Sequence, residues 1–295
     1  MATSTPTGRE DLSSLSAGLD ALEMPVGTSS ANTVGKILRS LWPPVLAILV
    51  LLVIWWALYA LKLKPTYVLP GPGDVWNSFI DGLSSGTTGT AVWNSLRRAF
   101  TGFAVSLVLG TVLGLVLAKS SIFRRAFGPL ITGLQILPSV AWVPAAIIWF
   151  GLSNEAMLFV VIMGATPSIA NGLKSGVDQI PPLYPRVGQM LGARGMTAVR
   201  FVILPAALPG YIAGLRQGWA FAWRSLMAAE LIVFAPALGI GLGQVLDQSR
   251  TLNDMPAVIA TIISILFVGI VIELCIFAPI ERHILRQRGL LSDKL

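Results

Sequence analysis

Six apolar runs divide the chain, and four of them carry no charge at all. The first lies between Arg39 and Lys62, and its run LWPPVLAILVLLVIWWALYAL has the ~20 residues an α-helix needs to cross a bilayer. The second covers residues 99 to 118, with Gly102, Gly110 and Gly114 on or near one face, where small residues let helices approach closely in lipid. The third reaches from residue 126 to 154 and contains Pro129, Pro138 and Pro144, so one kinked span is predicted. The fourth, residues 156 to 173, is short but sufficient if its flanks snorkel. The fifth, residues 210 to about 234, holds Arg216, Arg224 and Glu230, and the sixth, residues 255 to about 280, holds Glu273. Between the first two runs, YVLPGPGDVW reads as a turn, after which Val75, Phe79 and Ile80 fit a short interfacial helix.

The polar connections set the topology. Lys36 and Arg39 precede the first run; Lys119, Arg124 and Arg125 follow the second; Lys174, Arg186, Arg194 and Arg200 follow the fourth; Arg282, Arg286 and Arg288 follow the sixth. Basic residues gather on the cytoplasmic side, so six crossings put both termini inside, with Arg97 and Arg98 as the exception. Residues 1–35, rich in Ser, Thr, Gly and Ala, read as a flexible cytoplasmic tail, 36–288 as the membrane domain and 289–295 as a short C-terminal tail.

Composition agrees with this pattern. Hydrophobic residues make up 54% of the 295, charged ones 12%, and the mean hydropathy is +0.75, which belongs to a polytopic membrane protein. The net charge of +7 is spent at the ends of apolar runs, so it marks topology and not a nucleic-acid partner. One cysteine, Cys275, and one histidine, His283, leave no material for a disulfide framework or a metal cluster, and no cofactor is expected. The spacing from Gly27 to Gly35-Lys36 is too long for a phosphate loop, and Ile37 stands where a hydroxyl is needed, so the chain is not expected to hydrolyse ATP.

The most informative polar stretch is RVGQMLGARGMTAVRFVILPAALPG, residues 186 to 210. Gly192 and Gly195 permit a sharp turn between two short helices. Met196, Val199 and Ile203 recur at i, i+3 and i+7, an apolar stripe on the second helix, and Pro205 and Pro209 are predicted to stop it. By pattern alone, the stretch is either a docking hairpin or an amphipathic helix on the lipid surface.

Gly192, nine residues, then Val202-x-Leu204-Pro205 resembles the signature loop of permeases of binding-protein-dependent ABC importers, and LPAALP running into GLRQGWAFAWRSLMAAEL is most similar to the nitrate, taurine and alkanesulfonate branch. YVLPGPG, the prolines and Phe150-Gly151 of ILPSVAWVPAAIIWFGLS, and the GLG of residues 241–243 resemble other segments of that family. The resemblance implies an all-α membrane protein with six transmembrane helices and the type I importer fold. It further implies a cytoplasmic coupling loop at 174–209, in which Gly192, Ala193, Gly195, Met196, Val199, Val202, Leu204 and Pro205 meet a separate ATPase. Two ATPase copies, a second permease copy and an extracytoplasmic solute-binding protein are the implied partners, besides the bilayer itself. Where the family carries Glu-Ala-Ala this chain has Arg186, Val187 and Gly188, so that acidic contact is not carried over.

The implied task is ATP-driven import of a small anionic solute such as a sulfonate, taurine or nitrate, with the chain supplying a gate and no chemistry. Charges near the bilayer centre are costly and face a cavity or a partner. Arg224 therefore either lines the path and lowers the barrier for an anion, or pairs with Glu230 or Glu273. Gln135, Ser139 and Asn171 either line the path or bond between helices, Glu230 is a further candidate path residue, and Arg97 and Arg98 either attract anions at the outer mouth, contact the binding protein or meet lipid headgroups. A rival reading is a self-sufficient proton- or sodium-coupled carrier working through Glu230 and Glu273.

Overall fold

The computed structural model describes residues 33–234 and 239–287, with side chains from 42 onward; most of the 1–35 tail and all of 289–295 lie outside them. Every described element is helical. In chain order these are α1 (Thr33–Ala60), α2 (Pro72–Ser84), α3 (Thr87–Lys119), α4 (Ser121–Ile136), a 3-10 turn (Ser139–Trp142), α5 (Val143–Phe150), α6 (Asn154–Asp178), α7 (Leu183–Met190), α8 (Met196–Ile232), α9 (Leu242–Thr251) and α10 (Met255–Gln287). α1, α3, α6, α8 and α10 are each long and apolar enough to cross a membrane.

The third apolar run departs from its prediction. Instead of one kinked span, α4 and the segment Ser139–Phe150 meet at 100°, and they make a sixth crossing only if the pair counts as one. Leu137 takes an extended conformation (φ −63°, ψ 125°), as a residue preceding proline must, and Pro138 brings no N–H to continue the ladder.

α6 forms the centre of the core, packed between α3 and α8. Its Met157, Val160, Val161, Ala165, Ile169 and Leu173 are all fully buried. The predicted glycine face of α3 is what lets α6 approach: a Cβ at Gly102 would lie 2.6 Å from Val161 Cγ1, and one at Gly110 2.7 Å from Ile169 Cβ. On the other side, α6 and α8 touch backbone to backbone, with the Cβ position of Gly214 only 2.5 Å from Gly172 Cα. Gly214→Val should therefore force the helices apart and lower stability by about 1–3 kcal/mol, seen as earlier loss of monodispersity on heating in detergent. Gly128→Ala, on α4 where a Cβ meets nothing within 4 Å, should be neutral by the same assay.

Candidate functional site

α7 and the start of α8 form the hairpin predicted between the fourth and fifth runs. α7 ends with the Ala193 N–H donating to Gly188 O (2.8 Å), and the chain reverses through Gly192 (φ +84°) and Gly195 (φ +56°), both in the left-handed region where glycine is favoured. Gly188 lets the two arms close, since a Cβ there would lie 2.8 Å from Val202 Cγ2. Val199 is buried in the hairpin, and Ala193, Val202, Ile203 and Leu204 are half-buried. The predicted stripe is thus split: Met196 is 72% exposed, and it joins Met190 (87%) and Leu191 (82%) in an apolar knob at the tip.

Pro205 and Pro209 do not stop the second arm. α8 continues unbroken for 37 residues, with a π-helical turn over Val199–Ile203 just before Pro205, while Pro209 sits within the regular helix that follows. A proline inside a helix clashes with the carbonyl four residues back, and a wider turn gives that carbonyl room. The hairpin tip and the middle of the bundle therefore belong to one rod.

Further along α8, Arg224 faces the break between α4 and α5. It lines a cavity of about 250 Å³ with Gln135, Pro138, Ser139, Gly164 and Phe221. Its guanidinium lies 4.7 Å from the Phe221 ring centre and its Nε donates to Ala220 O (3.2 Å). It forms no ion pair with Glu230 or Glu273, which are engaged elsewhere. Polar bonds fix the walls: Ser225 Oγ donates to Ser139 Oγ (2.7 Å) and Asn171 Nδ2 to Gln135 Oε1 (2.7 Å). So Arg224, Gln135 and Ser139 come together, and Asn171 stands behind Gln135. A guanidinium with no carboxylate partner among the described residues, beside an amide and a hydroxyl, can hold a small oxyanion.

Arg98 and Glu230 need correction. Neither faces a mouth or a path, because they pair with each other at 2.8 Å with 3% and 1% of their residue surface exposed. The guanidinium also donates to Asn154 Oδ1 (3.1 Å) and Gly239 O (2.7 Å), while Glu230 Oε2 accepts from Ser95 Oγ (2.7 Å) and the Gly243 N–H (3.0 Å). Arg97, one residue away, points outward and is exposed. Arg216 ties α8 to the end of α10 through Glu273 and Glu281, the latter at 2.7 Å. The sequence did hold a signal for Arg98: stepping back from Gly114 through Gly110, Ser106 and Gly102 on the buried face of α3 lands on it.

Residues 106–278 match the family described as binding-protein-dependent transport system inner membrane component. The chain belongs to that family. Among relatives of this permease, a putative ABC transporter permease protein, MJ0413, of Methanocaldococcus jannaschii is 31% identical, over 76% of this chain and 84% of that one. The taurine transport system permease protein TauC of Escherichia coli (strain K12) is 29% identical over 76% and 82%. The nitrate import permease protein NrtB of Leptolyngbya laminosa is 28% identical over 81% and 86%. The permease shares its fold with the inward-facing MetNI methionine ABC transporter, at TM-score 0.56 and 20% identity over 66% of this chain and 94% of that one. It is thus a permease of the binding-protein-dependent family with the fold of type I ABC importer permeases, related to taurine and nitrate permeases, and a multi-pass membrane protein whose relatives transport and are not enzymes. The matched span takes in the hairpin, the cavity and Glu230 but leaves Arg98 outside.

Proposed function

We propose that this permease moves a small anionic solute into the cytoplasm, driven by an ATPase docked on the 174–209 loop. The observation that carries the reading is the exposed knob of Met190, Leu191 and Met196 on a hairpin continuous with α8. Exposed apolar clusters of this kind on a soluble-facing loop mark a protein contact. Gly192, Ala193, Gly195 and Val199 shape the hairpin and Val202, Leu204 and Pro205 join it to α8, so nucleotide-driven movement of the ATPase would turn the rod and the cavity beside Arg224 with it. Two permease copies and two ATPases form the working unit, a solute-binding protein delivers at the opposite face, and both termini lie in the cytoplasm, as the basic loops indicate. An ion-coupled carrier would need a free carboxylate within a span, and both Glu230 and Glu273 are paired with arginines.

Within this reading Arg224, Gln135 and Ser139 form the anion-selective stretch of the path, with Asn171 orienting Gln135. Liposomes containing the permease, its ATPase and its binding protein should accumulate taurine or nitrate only when ATP and all three proteins are present. Uptake by the permease alone down an ion gradient would sink the reading. Arg224→Gln should cut uptake about 10-fold or more while ATP hydrolysis continues, the loss of one charge-assisted contact to the anion. Unchanged transport with lowered stability would make Arg224 structural.

A further inference from the structure

A second cavity, of about 460 Å³, opens at the end of the bundle away from the hairpin, between α2, α9 and the start of α10. Its polar lining is made of acceptors. Asp81 stands there with a carboxylate that forms no hydrogen bond or ion pair among the described residues, and Asp254 uses only Oδ1, on the Ala257 N–H (3.1 Å). Further along α10, the buried Thr261 and Ser264 give their hydroxyl protons to Ala257 O (2.7 Å) and Ala260 O (2.8 Å), so lone pairs are what they have left to offer. Ser249 of α9 is 7% exposed, and its hydroxyl has no hydrogen-bond partner among the described residues. A buried hydroxyl left in this way lacks a partner that an occupant can supply. No lysine, arginine or histidine lines the cavity, and Arg250, the basic residue of α9, is turned to Asp247 (2.6 Å). Phe79, Leu242 and Val245 make an apolar wall.

We propose that this cavity binds a primary alkylammonium, either as a free amine or as the ethanolamine headgroup of a phospholipid. Two carboxylates with no basic partner call for a cation, and an ammonium brings three N–H donors to share between them and the Ser249 hydroxyl. A bare metal ion fits less well. The volume is that of a small-molecule site, and no histidine, cysteine or third carboxylate lines it to complete a coordination shell. The methylenes of an alkylamine, by contrast, have Phe79, Leu242 and Val245 to pack on.

The test follows thermal unfolding of the whole permease in nonionic detergent, at fixed ionic strength, against butylammonium, tetramethylammonium and calcium chlorides. Only the permease is present, so failure of the importer reading would leave the result untouched. Butylammonium should raise the midpoint saturably, with half-saturation about tenfold below that of tetramethylammonium, which carries the same charge without an N–H. Asp81→Asn with Asp254→Asn removes both charges while asparagine still caps α10, and should abolish that difference. Ser249→Ala touches no side-chain bond of the fold and should weaken butylammonium about threefold. The lipid source is read from nanodiscs holding phosphatidylethanolamine and phosphatidylcholine in equal parts, by the lipid that the permease retains on extraction: wild type should keep the ethanolamine form about tenfold over the choline form, and the double variant should show no preference. A preference in either arm that the double variant loses supports the site, and the arm that shows it names the source. No preference in both arms, or the same preference in the double variant, overturns it. If the double variant does not fold, Ser249→Ala decides alone, and an unchanged preference overturns the site. Stronger protection by calcium than by butylammonium overturns the ligand class.

Discussion

Met190→Asp combined with Leu191→Asp should abolish the proposed ATP-driven uptake and strip the proposed ATPase from the permease. Both side chains stand almost free of the fold, so the substitutions leave the hairpin's own packing on Gly188 and Val199 intact. What they remove is apolar area that the proposed ATPase would bury, and what they add is two carboxylates with no cation provided. A contact residue of this kind contributes about 2 kcal/mol, and two together about 4 kcal/mol, roughly a thousandfold in Kd. Co-purification of tagged ATPase with the double variant measures it. Retained binding at wild-type stoichiometry would mean that the knob meets only lipid.

The second large effect is on folding. Arg98→Met leaves the Glu230 carboxylate buried without its cation, and breaking such a pair from one side costs about 3–5 kcal/mol. Few membrane-embedded bundles of this size should survive that loss at physiological temperature. Removing both charges, Arg98→Met with Glu230→Met, leaves no uncompensated ion and should be more stable than either single change. Thermal unfolding in a common detergent ranks the three variants, and additive losses would show that the pair is not coupled.

Much of the architecture was legible because bilayer thickness and charge cost act locally. Charge-free runs located α1, α3 and α6, and the spacing of Gly102, Gly110 and Gly114 foretold which face of α3 meets α6. Glycine positions also gave the reversal at Gly192 and Gly195. Proline was the less faithful guide. Pro138 breaks its run outright, whereas Pro205 and Pro209 sit within a continuous helix; at Pro205 the wide turn at 199–203 makes the room, and no local composition announces it.

The candidate site was read only in part. Arg224, Gln135 and Ser139 line one cavity, and Gln135 and Ser139 also form the bonds between helices that were the alternative to a path. The Arg98–Glu230 pair escaped because its members are 132 residues apart, and pairing across such a separation leaves no period along the chain. Charge counting then assigned Arg98 to an aqueous mouth, when its place on the small-residue face of α3 already pointed inward.

The wide turn at Val199–Ile203 carries one more residue than an α-helical turn would. It therefore acts as a phase adjuster between the knob and the cavity wall. The azimuth at which Met196 leaves the rod, relative to Arg224, is offset by the extra residue of that turn. Related chains could re-aim the proposed ATPase contact by a single insertion or loss there, without repacking one glycine in the membrane.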